Sequence, residues 1–364
     1  MIIQDIIDHL EDFAPLAYAE DFDNAGLLVG DKNAGLTGVL VTLDTLETVI
    51  EEAIESNCNL IVSFHPIIFK GLKKLTGKTY VERTVQKAIK NDIAIYAIHT
   101  ALDNNIEGVN DMICKQLGLF NKSILIPQVE TIKKLTTYVQ KKEADRLRAS
   151  IFKIGAGNIG NYSNCSFNIE GTGTFKGNKN SNPTIGNKDE TVSLNETKIS
   201  ITFAKHLENE VIDTLFKNHS YEEVAYEITT LENRNQNIGM GMVGTLETPM
   251  SENDFFKFLK TKMKTESIRH SKLLNKPIKK VAVLGGSGSF AIKAAIAAKA
   301  DVFVTSDLKY HDFFTAENTI VLADIGHYES EQYTKNGLVA HLTKKISNIA
   351  VLLSKTNTNP VNYF

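Results

Sequence analysis

The sequence predicts an α/β protein whose main domain is discontinuous, interrupted by an inserted α+β domain. Two observations carry this reading. Apolar strand-like runs alternate with helical periodicity from the start to about Pro127 and again from about Asn237, the grammar of βαβ units. Between them the order becomes βαββαβ with polar, alternating strands, which describes a ferredoxin-like unit. The chain has 364 residues, more than one ordinary core requires. The expected boundaries are 1–127 and 238–364 for the halves of the main domain and 131–232 for the insertion.

The first nine residues read as an amphipathic helix. Residues 38–43 (GVLVTL) form a strand, Leu46, Val49, Ile50, Ala53 and Ile54 recur at helical intervals, and residues 60–64 (LIVSF) return as a buried strand. A helix over 80–90 precedes a strand at 93–98 (IAIYAI), and a further helix covers 109–117. In the insertion, 134–139 is strand-like, 143–154 helical and 164–175 a polar strand. The Gly/Asn-rich stretch 177–190 has no apolar period and reads as an exposed loop. Strand, helix and strand follow at 198–203, 208–218 and 224–230. Parallel-sheet patterning resumes with 281–284, an Ala-rich helix at 290–298, and strands at 302–305 and 319–323.

Composition narrows the function classes. Forty Lys and Arg against 43 Asp and Glu leave a net charge of −3, with no basic footprint for nucleic acid or a membrane surface. No apolar run reaches membrane-spanning length. The N-terminus lacks a basic segment and a small-residue cleavage site. Cys58, Cys114 and Cys165 are scattered, without metal or disulfide spacing, so they are expected to fill core space in a cytoplasmic protein.

The chemistry-bearing residues share one placement. His65 follows the 60–64 strand, His99 and Asp103 follow 93–98, Asp307 follows 302–305, and His327 and Glu331 follow 319–323. In open α/β sheets the carboxyl ends of the strands form the ligand crevice. His327 and Glu331, four residues apart, fall on one face of a helix. Imidazoles with carboxylates suit a divalent cation such as zinc, iron or manganese. The expectation is therefore a sheet-edge metal site, in which Glu331 can bridge paired cations and water becomes a nucleophile. Simpler roles exist for two members: His99 as a loop hydrogen-bonder and Asp103 as the cap of the 109–117 helix.

Several motifs together resemble the GTP cyclohydrolase I type 2 homologue family, also called the NGG-interacting-factor-three-like dinuclear-metal proteins. They are DNAGLLVG at 23–30, HPIIFK at 65–70, HTALD at 99–103, GGSGS at 285–289, TSD at 305–307 and GHYESE at 326–331. GAGNIGNY at 155–162 and SYEE at 220–223 resemble the PII/CutA-like insertion of the longer bacterial members. The resemblance implies metal ligation by His65, Asp103, His327 and Glu331, one or two cations per chain, and a toroidal homohexamer. It also implies a GTP cyclohydrolase-like reaction on a nucleotide; independently of the resemblance, His99 and Asp103 are the two candidates to manage protons, and the sequence does not select between them. Relatives usually carry two adjacent histidines where this chain has Phe64-His65. Phenylalanine cannot ligate, so the second cation position is short of an imidazole.

The GGSGS loop reads either as a phosphate cradle at a helix start or as a tight structural turn. Lys309 and His311 are phosphate candidates or plain surface residues, and Asn158, Tyr162 and Asn164 are a ligand rim or a solvated strand. Two functions fit: a metal-dependent hydrolase acting on a small molecule such as a nucleotide, or a non-catalytic metal-binding scaffold, which Phe64 favours.

Overall fold

The computed structural model describes residues 1–364, and the chain separates into two compact units, 1–127 with 236–364, and 128–235. In the first half of the larger unit the strands are β1 (Gly26–Val29), β2 (Val39–Thr42), β3 (Leu60–Ser63), β4 (Ala94–Ala97) and β5 (Phe120–Pro127). The smaller unit carries β6 (Ile132–Gln140), β7 (Phe167–Lys176), β8 (Thr191–Ala204) and β9 (Tyr226–Leu231). The larger unit resumes with β10 (Gly239–Met250), β11 (Arg269–His270), β12 (Ile278–Ser287), β13 (Val302–Ser306), β14 (Val321–Asp324) and β15 (Val351–Leu353).

The larger unit is mixed α/β and holds two sheets. The first has the order β1-β4-β3-β2-β15 and the second β11-β14-β13-β12-β10-β5. Each is built on three parallel strands joined through helical crossovers: β2, β3 and β4 in one, β12, β13 and β14 in the other. Antiparallel pairs extend them: β1 on β4, β11 on β14, β10 on β12 and β5 on β10. The sequence reading placed all the candidate ligands along one sheet edge, and this arrangement corrects it. His65, His99 and Asp103 follow strands of the first sheet, whereas Asp307, His327 and Glu331 follow strands of the second.

Strand alternation explains the packing. Val39, Val41, Leu60, Val62 and Tyr96 of the first sheet and Val281, Val283, Val302 and Val321 of the second share one core. The apolar faces of helices Ile3–Phe13, Val109–Gln116, Glu252–Met263 and Thr334–Lys345 join it through Ile6, Ile113, Phe255 and Leu338. The intervening strand residues turn outward to separate helical covers: Leu40, Ile61 and Ile95 against helices Glu47–Glu55 and Tyr80–Lys90, and Ala282, Phe303 and Leu322 against helix Ile292–Ala297. Cys58 and Cys114 are buried as expected; Cys165 is only half-buried, and all three are free thiols. No helix is long and apolar enough to cross a membrane.

The smaller unit is a four-stranded antiparallel sheet of order β7-β8-β6-β9. Helices Ala144–Lys153 and Glu208–Asn218 pack on one face, around Leu135, Val139, Leu147, Ile199, Ile201 and Leu215. Residues 177–190 form no strand or helix. Strand β8 starts seven residues earlier than periodicity suggested, because its first half pairs with β7 in register from Lys176↔Thr191 onward, and cross-strand pairing is invisible to a single-segment pattern. Because this core closes on itself, a segment covering 128–235 is expected to unfold cooperatively in urea, followed by circular dichroism. Leu135→Ala within it should cost about 2–5 kcal/mol, the range for truncating a fully buried leucine. Non-cooperative loss of signal from the unmutated segment would show that its core needs the rest of the chain.

Candidate metal centre

The turn after β3 places the first ligand candidate. Phe64 N–H donates to Thr42 O (3.2 Å) and His65 N–H to Leu43 O (2.9 Å), so the ends of β2 and β3 are tied together. The Ser63 hydroxyl donates to the His65 carbonyl at 2.7 Å. His65 thereby lies beside Asp44, with Nδ1 2.8 Å from Oδ1. In the second sheet, β14 ends at Asp324 and Gly326, with φ 92°, turns the chain into the short helix His327–Glu331. His327 Nδ1 meets Asp307 Oδ2 at 2.6 Å. Asp307 follows β13 with a left-handed backbone (φ 58°), which aspartate tolerates, and also accepts from the Ser287 hydroxyl.

Both imidazoles therefore point Nε2 at one place. The two Nε2 atoms are 3.4 Å apart, and Glu331 Oε2 lies 3.1 Å from that of His65 and 3.2 Å from that of His327. An ionised aspartate at Nδ1 holds the proton there and leaves an inward lone pair on Nε2. Glu331 Oε2 is buried without a well-formed hydrogen bond. Three lone-pair-bearing atoms this close repel one another unless positive charge enters among them.

With protons alone, the imidazoles must supply that charge. Burial works to lower His65, but Glu331 and Asp44 outweigh it and push it up to about 10. His327 follows the same balance, burial opposed by Asp307 and Glu331, and rises to about 11. Burial would raise Glu331, yet the two imidazoles hold it below the usual carboxylate range. A divalent cation meets the same demand while leaving the imidazoles neutral, and two nitrogens with one oxygen form a suitable donor set. The aspartates on Nδ1 are the outer partners that orient metal-binding histidines. His65, His327 and Glu331 thus form a cluster able to hold a metal ion.

The fourth predicted ligand, Asp103, lies outside that three-residue cluster. It sits at the end of helix His99–Asp103, 8 % exposed, with Oδ1 lacking any hydrogen-bond partner. Burial and then the charge of Glu331 hold its carboxyl well above the ordinary range. It does not cap the following helix, whose N-cap is Gly108. His99, also outside the cluster, has its ring centroid 5.4 Å from that of His65, and its Nδ1 is 2.6 Å from Asp23 Oδ1. Burial tends to raise Asp23, but hydrogen bonds from His99 and Thr100 hold it low. His99 adopts φ 28°, a strained backbone of the kind that accumulates at functional sites. Phe64 is fully buried, its ring 4.9 Å from that of His65 and 5.6 Å from that of His99.

Asp44 and Asp23 were not among the predicted site residues. The signal for Asp44 was available: it follows β2 in the same way that the named residues follow their strands. The glycine loop resolves as a structural cradle. Gly285 N–H donates to Asn110 Oδ1 (3.1 Å) and Gly286 N–H to Ser330 Oγ (2.9 Å), so these amides are not available to a phosphate. A Cβ on Gly286 would lie 2.5 Å from Glu331 Oε1. Tyr310 and Phe314 near Lys309 and His311 are exposed. A cavity of about 660 Å³ in the smaller unit is lined by Tyr138, Phe175, Lys198 and Tyr221, among others, and by none of the candidate ligands. Donor chemistry, rather than cavity size, marks the site.

Comparison with known proteins gives a consistent pattern. Residues 1–360 match the family model described as Duf34/NIF3 (NGG1p interacting factor 3). A Bacillus subtilis protein named GTP cyclohydrolase 1 type 2 homolog is 39 % identical, with 99 % of this chain and 98 % of that protein covered. The crystal structure of a Bacillus cereus protein related to NIF3 superposes with a TM-score of 0.87 at 34 % identity, covering 100 % of this chain and 99 % of the other. A Staphylococcus aureus structure aligns at 0.81 and 33 %, again over 100 % and 99 %.

Gly286 has φ 71° as well as the close approach to Glu331. Gly286→Ala is therefore expected to lose about 1–3 kcal/mol, the cost of one strained backbone position, measured by urea unfolding. Unchanged stability would mean that the cradle does not constrain Glu331.

Proposed function

The chain belongs to the Duf34/NIF3 (NGG1p interacting factor 3) family, and from that premise we propose that it is a divalent-metal protein acting as a metal-dependent hydrolase on a nucleotide or related small molecule. The observation that carries this reading is the convergence of His65 Nε2, His327 Nε2 and Glu331 Oε2, each imidazole backed by an aspartate. These three residues would hold one cation of zinc, iron or manganese. Asp103, buried with a free oxygen, is the natural donor to a second position. When bound, such a cation supplies Lewis acidity and makes water a nucleophile at neutral pH.

The chain's own residues divide the remaining work. Asp44 and Asp307 keep the Nδ1 protons in place, so both imidazoles present lone pairs inward. His99, hydrogen-bonded to Asp23 and beside His65, is placed to carry a proton for a reacting group. The relatives' name, GTP cyclohydrolase 1 type 2 homolog, supports a purine nucleotide as the first substrate to try. A fold alone does not specify a reaction. We further propose that the smaller unit is an inserted ferredoxin-like domain, that the chain assembles as a homohexamer, and that it works in the cytoplasm. The βαββαβ order, the family membership and the three free thiols support these in turn.

A second reading has its own observation. Phe64 fills, with a fully buried ring, the position next to His65 where a second imidazole would stand, and this favours a metal-binding scaffold without turnover. Metal content and turnover of GTP and simple phosphoesters, measured on one preparation, separate the two.

Elemental analysis of wild type and Glu331→Ala is expected to show metal in the first and little in the second. Equal content would remove the proposed centre. Phe64→His is expected to raise metal stoichiometry or tighten the weaker position, at a cost of about 1–3 kcal/mol in lost burial. A folded variant with unchanged zinc and manganese titrations would show that Phe64 does not border an incomplete second position.

A further inference from the structure

The last residues of the chain run into the site. Strand β15 adds to the first sheet parallel to β2, and Ser354 N–H continues that pairing to Val41 O at 2.9 Å. The next residues are gathered on one carboxylate. The Ser354 hydroxyl reaches Glu52 Oε2 at 2.7 Å, Lys355 N–H reaches Oε1 at 2.7 Å, and the Thr356 hydroxyl reaches Oε2 at 2.7 Å. Thus anchored on helix Glu47–Glu55, the chain delivers Thr358 to Asp44, hydroxyl to Oδ2 at 2.7 Å. Thr358 is 6 % exposed. Asn359 Nδ2 then donates to Glu329 Oε1 at 3.1 Å, on the helix that carries His327 and Glu331. Beyond it, a Cβ added to Gly326 would lie 2.8 Å from the Tyr363 hydroxyl.

The consequence lies in how Asp44 is shared. One of its oxygens holds His65 Nδ1 and the other holds Thr358. A carboxylate gripped at only one oxygen swings about its Cβ–Cγ bond, a broad and soft torsion. A hydroxyl on the second oxygen sets the plane of the group and therefore the direction in which His65 is held. Metal affinity depends on this kind of support.

We propose that Thr358 is a positioning residue for His65, acting through Asp44, and that the tail from Ser354 to Asn359 is a working part of the metal centre. It joins Asp44, behind a ligand candidate from the first sheet, to Glu329, on the helix that supplies two from the second. The inference rests on the reading of His65, His327 and Glu331 as metal ligands.

The test is titration of metal-stripped full-length protein with Co²⁺ and Zn²⁺, reading the visible Co²⁺ bands and the dissociation constants. Thermal unfolding of the metal-free protein is recorded alongside. Thr358→Val keeps the shape and removes the hydroxyl; it is expected to weaken binding about tenfold, the lower end for outer-sphere changes, and to shift the Co²⁺ bands. Thr358→Ser is expected to restore both. In the Asp44→Asn background Thr358→Val should have little further effect, because both act on one path. Wild-type affinity and spectrum in Thr358→Val overturn the proposal, as does equal loss in the Val and Ser variants or full additivity with Asp44→Asn. Failure of the underlying reading looks different: wild type itself, or wild type and Glu331→Ala alike, would show no specific Co²⁺ spectrum.

Discussion

Two neutral imidazoles and one buried carboxylate cannot be held nose to nose without positive charge between them, and the larger unit is organised around that constraint. His65 and His327 bring their Nε2 atoms to 3.4 Å, with Glu331 Oε2 at 3.1 and 3.2 Å. Each element of the arrangement costs free energy in isolation. A buried carboxylate oxygen without a well-formed hydrogen bond carries a desolvation penalty, and His99 has a positive φ that non-glycine residues usually avoid. Packing maintains them. Such over-determined strain is characteristic of sites kept for chemistry rather than for stability.

The two-sheet architecture explains how the groups are aimed so closely. Each half of the larger unit makes its own βαβ run, and each run offers the carboxyl ends of parallel strands. The shared core of Val41, Val62, Val283 and Val304 with four helices binds the halves into one body. A cluster split between two sheets depends on that core for its geometry, because no local segment contains it. The tail adds a direct tie, from Glu52 and Asp44 on one side to Glu329 on the other.

Phe64 gives the site an asymmetry. Its buried ring touches the imidazoles of His65 and His99, so one flank of the cluster is apolar. Asp103, outside the three-residue cluster, is held against its ordinary ionisation by burial and by Glu331. A cation drawn to the three-residue cluster would relieve Asp103 as well, since nearby positive charge favours a carboxylate.

Much of this was legible from the amino acids alone. Helices Tyr80–Lys90 and Glu208–Asn218 run where the apolar period ran, because the 3.6-residue stripe is a local property. His327 and Glu331 share a helical face because four-residue spacing requires it. The family resemblance, carried by short motifs such as HTALD and GHYESE, is borne out over residues 1–360. Other features had no local signature. That the parallel strands divide into two sheets, that β8 is fourteen residues long, and that Asp44 and Asp23 stand behind the histidines all depend on which segments pair. So does the capture of the C-terminal tail by Glu52 and Asp44, across some 300 residues of sequence. Sequence periodicity determines which face of each element is apolar; only the packing of those faces decides which distant side chains meet, because contact energies between segments leave no periodic trace within either one.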